Sequence, residues 1–315
     1  MERRAPGAAA AYRAAPRAMT IVRTYDTATA NRGPLRHLAS MLRYPALVWE
    51  HRYMVQNFLR RDVLSRVNGS ALGVGWLLLQ PMFQFAVYFV VFGLLFGGRS
   101  ASGEATARFA LYLFSGVIVW QAFAEATTVS CSMIVDNGNL VKKVAFPSEA
   151  LFVHVGAVAL LVYLLGALIC LATGFVTGIT SLGWPLLGLP VVLIVQFLFT
   201  LGIGMLLANA YVFVRDVGQL WRIVVSAWMF LSPVFWEPDL LRSNDKLPPG
   251  LVALVMDWNP MYPLLMAHRI ALGGDEAALG GFWPQVGRAA LWAVGAFVVG
   301  YTIFMGRKHK YADLI

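Results

Sequence analysis

Residues 150–214 contain no Asp, Glu, Lys or Arg and read ALFVHVGAVALLVYLLGALICLATGFVTGITSLGWPLLGLPVVLIVQFLFTLGIGMLLANAYVFV. A second uncharged stretch covers residues 67–98. A bilayer has a hydrocarbon core about 30 Å thick, and a helix needs about 20 apolar residues to cross it. The first stretch therefore predicts at least two membrane spans and the second predicts one. We expect a polytopic membrane protein whose function lies in or across a bilayer.

The composition supports a membrane protein and argues against a nucleic-acid-binding one. Hydrophobic residues make up 59% of the chain and charged residues 13%, whereas soluble domains carry roughly 25% charged residues. The net charge of +9 comes from basic residues that flank the apolar segments. This pattern is typical of membrane topology signals, so we expect no nucleic-acid partner.

Six spans are predicted along the chain, at about residues 71–96, 109–129, 151–173, 186–211, 218–236 and 289–305. The fifth is short, because the uncharged run between Arg222 and Glu237 gives only about 21 Å of helix unless Arg222 snorkels to the interface. Residues 251–256 and 261–272 are apolar but interrupted by prolines, which favours re-entrant pieces. The predicted fold class is an all-α integral membrane protein with six transmembrane helices, an N-terminal amphipathic interface helix, and short re-entrant external helices between spans five and six.

An even number of spans places both ends on one side of the membrane, and the basic residues indicate which side. With the N-terminus inside, the segments near the spans carry 11 basic residues inside and 6 outside, the outer ones being Arg99, Arg108, Arg242, Lys246, Arg269 and Arg288. Cytoplasmic loops carry the excess of Lys and Arg. Both termini are therefore expected in the cytoplasm.

The predicted organisation has four parts. Residues 1–44 form a disordered basic cytoplasmic tail, 45–70 the interface helix, 71–306 the transmembrane domain and 307–315 the cytoplasmic C-terminus. The tail has no apolar core of a secretory signal. Its Ala- and Arg-rich composition leaves an organellar transit peptide as an alternative.

The segment before the first span predicts an amphipathic helix lying in the membrane surface. Between residues 46 and 61, the apolar side chains share one side: Leu47, Val48, Met54, Val55, Phe58 and Leu59. Arg61 lies on the polar side. Asp62 and Arg66 fall on the apolar side with i, i+4 spacing and could pair there. Snorkelling charges at the helix end, or a break before the first span, are the alternatives.

Several kinds of catalytic or cofactor site find no support in the sequence. No Gly-rich loop ends in Lys-Ser/Thr, so ATP is not bound by that route, and no metal-ligand spacing occurs. We expect no catalytic residue, no metal and no cofactor held by this chain. Cys131 and Cys170 fit small buried hydrophobic residues. His154 fits a satisfied core histidine better than a proton carrier, whereas Glu125, an acid inside a span, is either functional or simply solvated.

Five groups of residues, in order, carry a resemblance to a known family. They are Arg61-Asp62-Val63-Leu64-Ser65-Arg66 with Gly69-Ser70-Ala71-Leu72-Gly73 and Gln80-Pro81, Lys142-Lys143-Val144-Ala145-Phe146-Pro147, Arg215-Asp216-Val217, Ser232-Pro233-Val234-Phe235-Trp236, and Asn259-Pro260-Met261. The chain resembles the permease subunits of type-2 ATP-binding-cassette exporters. It is most similar to those that export polysaccharides and polyol phosphates of capsule, O-antigen and teichoic acid. The resemblance covers roughly residues 45–315 and leaves the tail unmatched.

The resemblance implies a transport subunit rather than an enzyme. It implies a homodimer in the bacterial inner membrane, assembled with two copies of a separate ATPase subunit that holds ATP and Mg. The cargo would be a glycan or glycolipid moved outward from the cytoplasm. Alternatives are a type-2 exporter of a drug or lipid and, more distantly, an integral-membrane acyl- or glycosyltransferase.

The resemblance also suggests how two sets of residues act. Lys142, Lys143, Phe146 and Pro147 lie in the segment that the family uses to couple to its ATPase, although an ordinary positive-inside loop is the alternative. Tyr88, Phe92, Trp228 and Trp236 belong to aromatic-rich stretches of the first and fifth spans. Aromatic faces stack on sugar rings, so these four are candidates for the substrate path. The alternative is ordinary packing.

Overall fold

Every regular element in the described part of the chain is a helix. The computed structural model describes residues 40–67, 72–73, 75–88, 90–91, 103–143, 147–180, 183–242 and 247–315. The N-terminal tail up to residue 39, Phe92 and Phe146 lie outside these ranges. The helices are α1 Tyr44–Glu50, α2 Arg52–Val67, α3 Gly75–Tyr88, α4 Gly103–Asp136, α5 Gly138–Lys143, α6 Leu151–Val176, α7 Leu189–Phe213, α8 Val217–Leu231, α9 Pro238–Arg242, α10 Pro249–Met256, α11 Met261–Ala271 and α12 Phe282–Leu314.

Four of the six predicted spans are confirmed as helices long and apolar enough to cross a membrane. They are α4, α6, α7 and α12, each with an apolar segment of 29 or 30 residues. The first and fifth predicted spans correspond to α3 and α8, whose described helices have 14 and 15 residues. The structure therefore supports an all-helical, multi-pass membrane protein.

Helix ends differ from the predicted spans for two physical reasons. Helix α4 begins before Arg108, and α12 continues through Arg307, Lys308 and Lys310 to Leu314, because charged residues end an apolar run without ending a helix. Helix α8 stops at Leu231, five residues before the predicted end. Ser232 is extended there (ψ 149°), since a proline at 233 disfavours helical backbone in the residue before it.

The predicted interface helix is two helices, α1 and α2, separated at His51. Its sidedness agrees with the sequence pattern, since Val55 is buried whereas Gln56 and Asn57 are exposed. Helix α2 packs on α6, where Phe58 stacks on the ring of His154 with centroids 5.2 Å apart. His154 is buried and takes part in this packing, but its Nδ1 has no hydrogen-bond partner among the described residues, so the prediction of a satisfied core histidine holds for its burial only. Both cysteines are free and buried.

Helices α7 and α12 form the most extensive contact among the described helix pairs, and two glycines let them approach closely. A Cβ atom on Gly202 would lie 2.5 Å from the backbone nitrogen of Phe297. A Cβ atom on Gly300 would overlap the carbonyl oxygen of Gly202. Small residues let membrane helices approach backbone to backbone in this way.

Helix α11 lies in the centre of the bundle at the end where α4 begins. It contacts α4, α7 and α12, and each of its 11 residues is buried. His268 Nδ1 is 2.8 Å from the hydroxyl oxygen of Tyr163 on α6. Helix α11 thus packs on α4, α7 and α12 and is hydrogen-bonded to α6.

Candidate functional site

The predicted coupling segment lies at the end of the longest helix. Helix α4 ends at Asp136, and only Asn137 separates it from α5. Lys142 is exposed on α5, and Lys143 is the last residue of that helix. Pro147 is half-buried and precedes a single turn of 3₁₀ helix, Ser148–Ala150. The structure thus places the basic residues of this segment on a short helix at the tip of the bundle.

The end of α12 supports this short helix from beside it. Lys142 Nζ donates a hydrogen bond to the backbone oxygen of Ile315, at 2.7 Å. The Ile315 side chain fills the space next to Gly138, where a Cβ would lie 2.5 Å from its Cγ2. Tyr311 is fully buried, and its hydroxyl donates to Asn209 Oδ1 on α7 at 3.2 Å. The C-terminal turns of α12 therefore anchor α5 to the core.

A largely buried ion pair fixes the chain just after the coupling segment. Lys308 Nζ lies 2.5 Å from Glu149 Oε2, and the Glu149 side chain is only 4% exposed. The hydroxyl of Tyr44 on α1 donates to the carbonyl oxygen of Glu149 at 3.1 Å. Sequence reasoning used Glu149 only as the boundary of an uncharged stretch. Glu149 directly precedes the long apolar run of residues 150–214. A carboxylate at that position is a sequence signal for burial, and a buried carboxylate needs a partner.

Arg66, at the end of the interface helix, pairs with the acid inside the second predicted span. Arg66 Nη2 lies 2.5 Å from Glu125 Oε1. The i, i+4 pairing of Asp62 with Arg66 was therefore the wrong pairing for Arg66, because the long side chain reaches α4 instead. Asp62 is half-buried on α2, and Arg61 lies over the Phe58 ring with 4.8 Å between its guanidinium carbon and the centroid.

A second polar contact lies one helical turn away on the same face of α4. Gln121 Nε2 donates to Gln84 Oε1 on α3 at 2.6 Å. Gln84 Nε2 in turn donates to the Tyr88 hydroxyl at 3.3 Å. Sequence reasoning did not single out either glutamine. We call the two contacts, Arg66–Glu125 and Gln84–Gln121, the polar seam.

Of the predicted path aromatics, the structure describes Tyr88, Trp228 and Trp236, and their contacts differ. The centroid of the Tyr88 ring lies 6.0 Å from that of Phe235, which precedes Trp236 in the sequence. The indole Nε1 of Trp236 donates a hydrogen bond to the carbonyl oxygen of Phe230 at 3.0 Å. Trp228 instead packs edge-on against Trp120 of α4, with centroids 5.7 Å apart. Its contacts match the packing alternative.

Trp228 is held in that position by a hydrogen bond. Its Nε1 donates to Asn259 Oδ1 at 3.0 Å, and Asn259 Nδ2 donates to the Ser232 hydroxyl at 3.0 Å. Asn259 therefore ties α8 to the turn that starts α11.

Arg269 is a buried cation, whereas the sequence analysis counted it among the basic residues outside the membrane. It is 2% exposed. Its guanidinium donates to the carbonyl oxygens of Pro233 at 2.6 Å, Val234 at 3.0 Å and Tyr112 at 3.3 Å. Its charged carbon also lies 3.5 Å from the Tyr112 ring centroid. Arg269 thus fastens α11 to α4 and to the turn after α8.

The described residues hold no group of three or more His, Cys, Asp or Glu side chains that could bind a metal ion. The sites above are contacts between helices that could transmit movement. Their polar groups bind other parts of the chain.

Comparison with known proteins agrees with this picture. The model of the family described as "ABC-2 type transporter" matches residues 54–272. An O-antigen export system permease protein RfbA from Myxococcus xanthus is 25% identical over 275 residues, covering 87% of this chain and 100% of that protein. Two proteins of the same name from Klebsiella pneumoniae are 23% and 22% identical, each covering 81% of this chain and 92% of their own length.

Proposed function

We propose that this chain, which belongs to the ABC-2 type transporter family, is the membrane subunit of an ATP-driven polysaccharide exporter. The family consists of transport subunits without a catalytic domain, and ATP binds to a separate ATPase subunit. The cargo in this proposal is a lipid-linked glycan that moves from the cytoplasm across the bacterial inner membrane. The observation that carries the proposal is the match to an O-antigen export permease along that protein's entire length.

The proposed topology has six spans with both termini in the cytoplasm. Helices α3 and α8 are the first and fifth spans in this arrangement, and α5 lies at the cytoplasmic end. The excess of basic residues near that end supports the orientation. Two copies of the chain would bind two ATPase subunits, and residues 1–44 would remain a cytoplasmic tail.

The proposed coupling mechanism uses the short helix α5. ATPase closure would displace α5 and Pro147, and so favour one of two permease conformations. The anchoring of α5 by Lys142, Ile315 and the Glu149–Lys308 pair supports this proposal. A rigidly supported helix transmits force into the bundle, whereas a loosely attached one would yield.

The proposal is tested by isolating the permease with its ATPase subunit and measuring hydrolysis with different candidate cargoes. We expect a lipid-linked glycan to stimulate hydrolysis by the complex, and the permease alone to hydrolyse no ATP. Stimulation by drugs or simple lipids, with none by glycans, would instead identify the cargo class of the alternative exporter.

Changing the coupling segment should weaken binding of the ATPase. We expect the double variant F146A/K143E to insert in the membrane but to retain the ATPase at least tenfold less well in pull-down, since a buried aromatic anchor is worth about 2 kcal/mol or more. A matched control is F175A/K310E, which changes an exposed aromatic at the other end of α6 and an exposed lysine of α12. Equal recovery of the ATPase by both variants would exclude this segment as the main docking element.

Alanine replacements should separate path residues from packing residues. We expect Y88A, F92A and W236A to lower glycan export while leaving the complex assembled, because aromatic faces that would stack on sugar rings are lost. W228A should also lower the amount of folded complex. We expect it to reduce the free energy of unfolding by less than the about 3–5 kcal/mol that replacing a fully buried tryptophan by alanine costs. Glycan at the cell surface and folded complex in detergent are the paired measurements. Unchanged export by the first three variants would remove them from the path.

A further inference from the structure

We infer that Glu125 and Gln121 are positioning residues for transport, which carry the movement of α5 to the interface helix and to the first span. This inference rests on the proposed function. Through the polar seam, these two side chains join α4, which leads to the proposed coupling helix α5, to α2 and α3. Both act through other residues and need not touch the cargo.

The first step is the mechanical continuity of α4 with α5. Hydrogen bonding crosses the junction, because the carbonyl oxygen of Asn137 accepts from the backbone N–H of Leu140 and Val141. Asn137 Nδ2 also donates to the carbonyl oxygen of Met133 at 2.9 Å. Glu125 lies 13 residues before Gly138, or about 20 Å along a helix. A tilt or shift of α5 therefore displaces Glu125.

The second step is that the seam connects α4 to two different elements. Residues 121 and 125 are one turn apart on one face of a helix. Glu125 contacts Arg66 at the end of α2, whereas Gln121 contacts Gln84 in the middle of α3. A rotation of α4 would thus act on the interface helix and on the first span together.

The third step is the contrast with the other faces of α4. Toward α8 its contacts are mainly aromatic, made by Trp120 and Phe123 with Trp228. The hydrogen bond on this side, from Trp221 Nε1 to Thr127 Oγ1 at 3.1 Å, is to a fully buried hydroxyl. Toward α6 and α7 the helix presents buried apolar residues such as Ala122 and Ala126, and its hydrogen bond from Gln196 Nε2 to the carbonyl oxygen of Val119 is buried as well. Close apolar packing allows few alternative arrangements. A polar contact can exchange its partner for water or for another polar group.

The fourth step is that the described chain encloses the Arg66–Glu125 pair only in part. The two side chains are 30% and 35% exposed. Breaking a fully enclosed pair strands an unpaired charge, whereas the chain leaves each member of this pair room to take another polar partner when it opens. The pair is therefore suited to form in one conformation and to separate in another.

The fifth step is a bending point in α3 beside the seam. Pro81 lies inside α3, three residues before Gln84. A proline inside a helix removes one backbone hydrogen bond and favours a kink. Gln84, the residue of α3 that is hydrogen-bonded to Gln121, therefore lies just after the position where α3 bends most easily.

The test uses the assembled complex of permease and ATPase, three variants of the pair and two control variants. We expect E125Q and R66Q to assemble and to keep basal ATP hydrolysis, but to lose at least tenfold in glycan export. The charge-swapped pair R66E/E125R should recover at least half of the export. The matched controls are D136N, on an exposed acid of α4, and R60Q, on an exposed arginine of α2; both should export normally.

Each other outcome overturns the inference. Normal export by E125Q and R66Q would show that the pair is dispensable. Loss of assembly in both would show a purely structural role, and so would an assembled charge-swapped variant that stays inactive. Absence of glycan stimulation in the unmodified complex is a different result, which would contradict the proposed function itself.

A second measurement does not depend on the cargo. Spin labels at the exposed positions Leu64 of α2 and Val129 of α4, introduced as L64C/V129C, report the spacing of these two helices. We expect a non-hydrolysable ATP analogue to change this distance in the complex and to leave it unchanged when E125Q is added. The same change in both proteins would overturn the inference.

Discussion

The variant R269M should be strongly destabilised, with a lower thermal midpoint and a lower yield of folded protein. Arg269 supplies hydrogen bonds to three carbonyl oxygens, those of Tyr112, Pro233 and Val234, in a site from which water is excluded. Methionine has a similar length but no donor. Bonds to a charged group are worth about 1.5–3 kcal/mol each, so the loss is about 4 kcal/mol or more. The total stability of a folded protein is only about 5–15 kcal/mol.

The measurement is the yield and thermal midpoint of the permease in detergent. R269K should fall between the original protein and R269M, because an ammonium keeps the charge but cannot reproduce the planar set of donors. The matched control is R288M, since the Arg288 side chain is 44% exposed and its contact with Asp257 is 4.0 Å long. We expect R288M to change stability by about 1 kcal/mol or less. Equal effects of R269M and R288M would contradict the buried role of Arg269.

The variants G202A and G300A should disrupt packing of α7 on α12. In each case the added methyl group meets backbone atoms of the other helix, which cannot rotate away as a side chain can. Overpacking of a core costs about 1–3 kcal/mol and occasionally more. We expect the upper part of this range or beyond, because the helix axes themselves must separate.

Two other glycines of α12 provide the control. A Cβ on Gly295 or Gly306 would meet no atom within 4 Å. Alanine is a better helix former than glycine by about 1 kcal/mol, so G295A and G306A should be neutral or slightly stabilising. Recovery of folded protein after heating in detergent measures all four variants. A similar loss in all four would show that the helix, rather than the contact, is sensitive.

The long helices could be predicted from sequence because their signal is local. An uninterrupted apolar run identifies a span wherever it packs, and α6 and α7 were found on that basis. The ends of α4 and α12 were not found, because a helix can continue past the last apolar residue. The end of α8 depends on Pro233, whose effect on Ser232 is local but was not used.

The partners within the candidate site could not be predicted in the same way. Arg66 and Glu125 are 59 positions apart, and the i, i+4 rule considers only partners within one helix. Arg269 looked like an external charge and Glu149 only marked the boundary of an uncharged stretch, because burial depends on which helices surround a residue. Trp228 and Trp236 both belong to the aromatic-rich stretch of the fifth predicted span. Only the tertiary structure shows that Trp228 packs on α4.

The burial of Arg269 also has a consequence for how the protein is made. At 11 residues, α11 is too short to cross a bilayer and carries two polar side chains, His268 and Arg269, in its last turn. The insertion machinery therefore cannot deliver α11 to its final place as an independent segment. Its carbonyl partners come from α4 and the turn after α8, but α12, which packs against it, is synthesised last. A nascent chain that stops before α12 would therefore leave α11, and the charge of Arg269, incompletely enclosed.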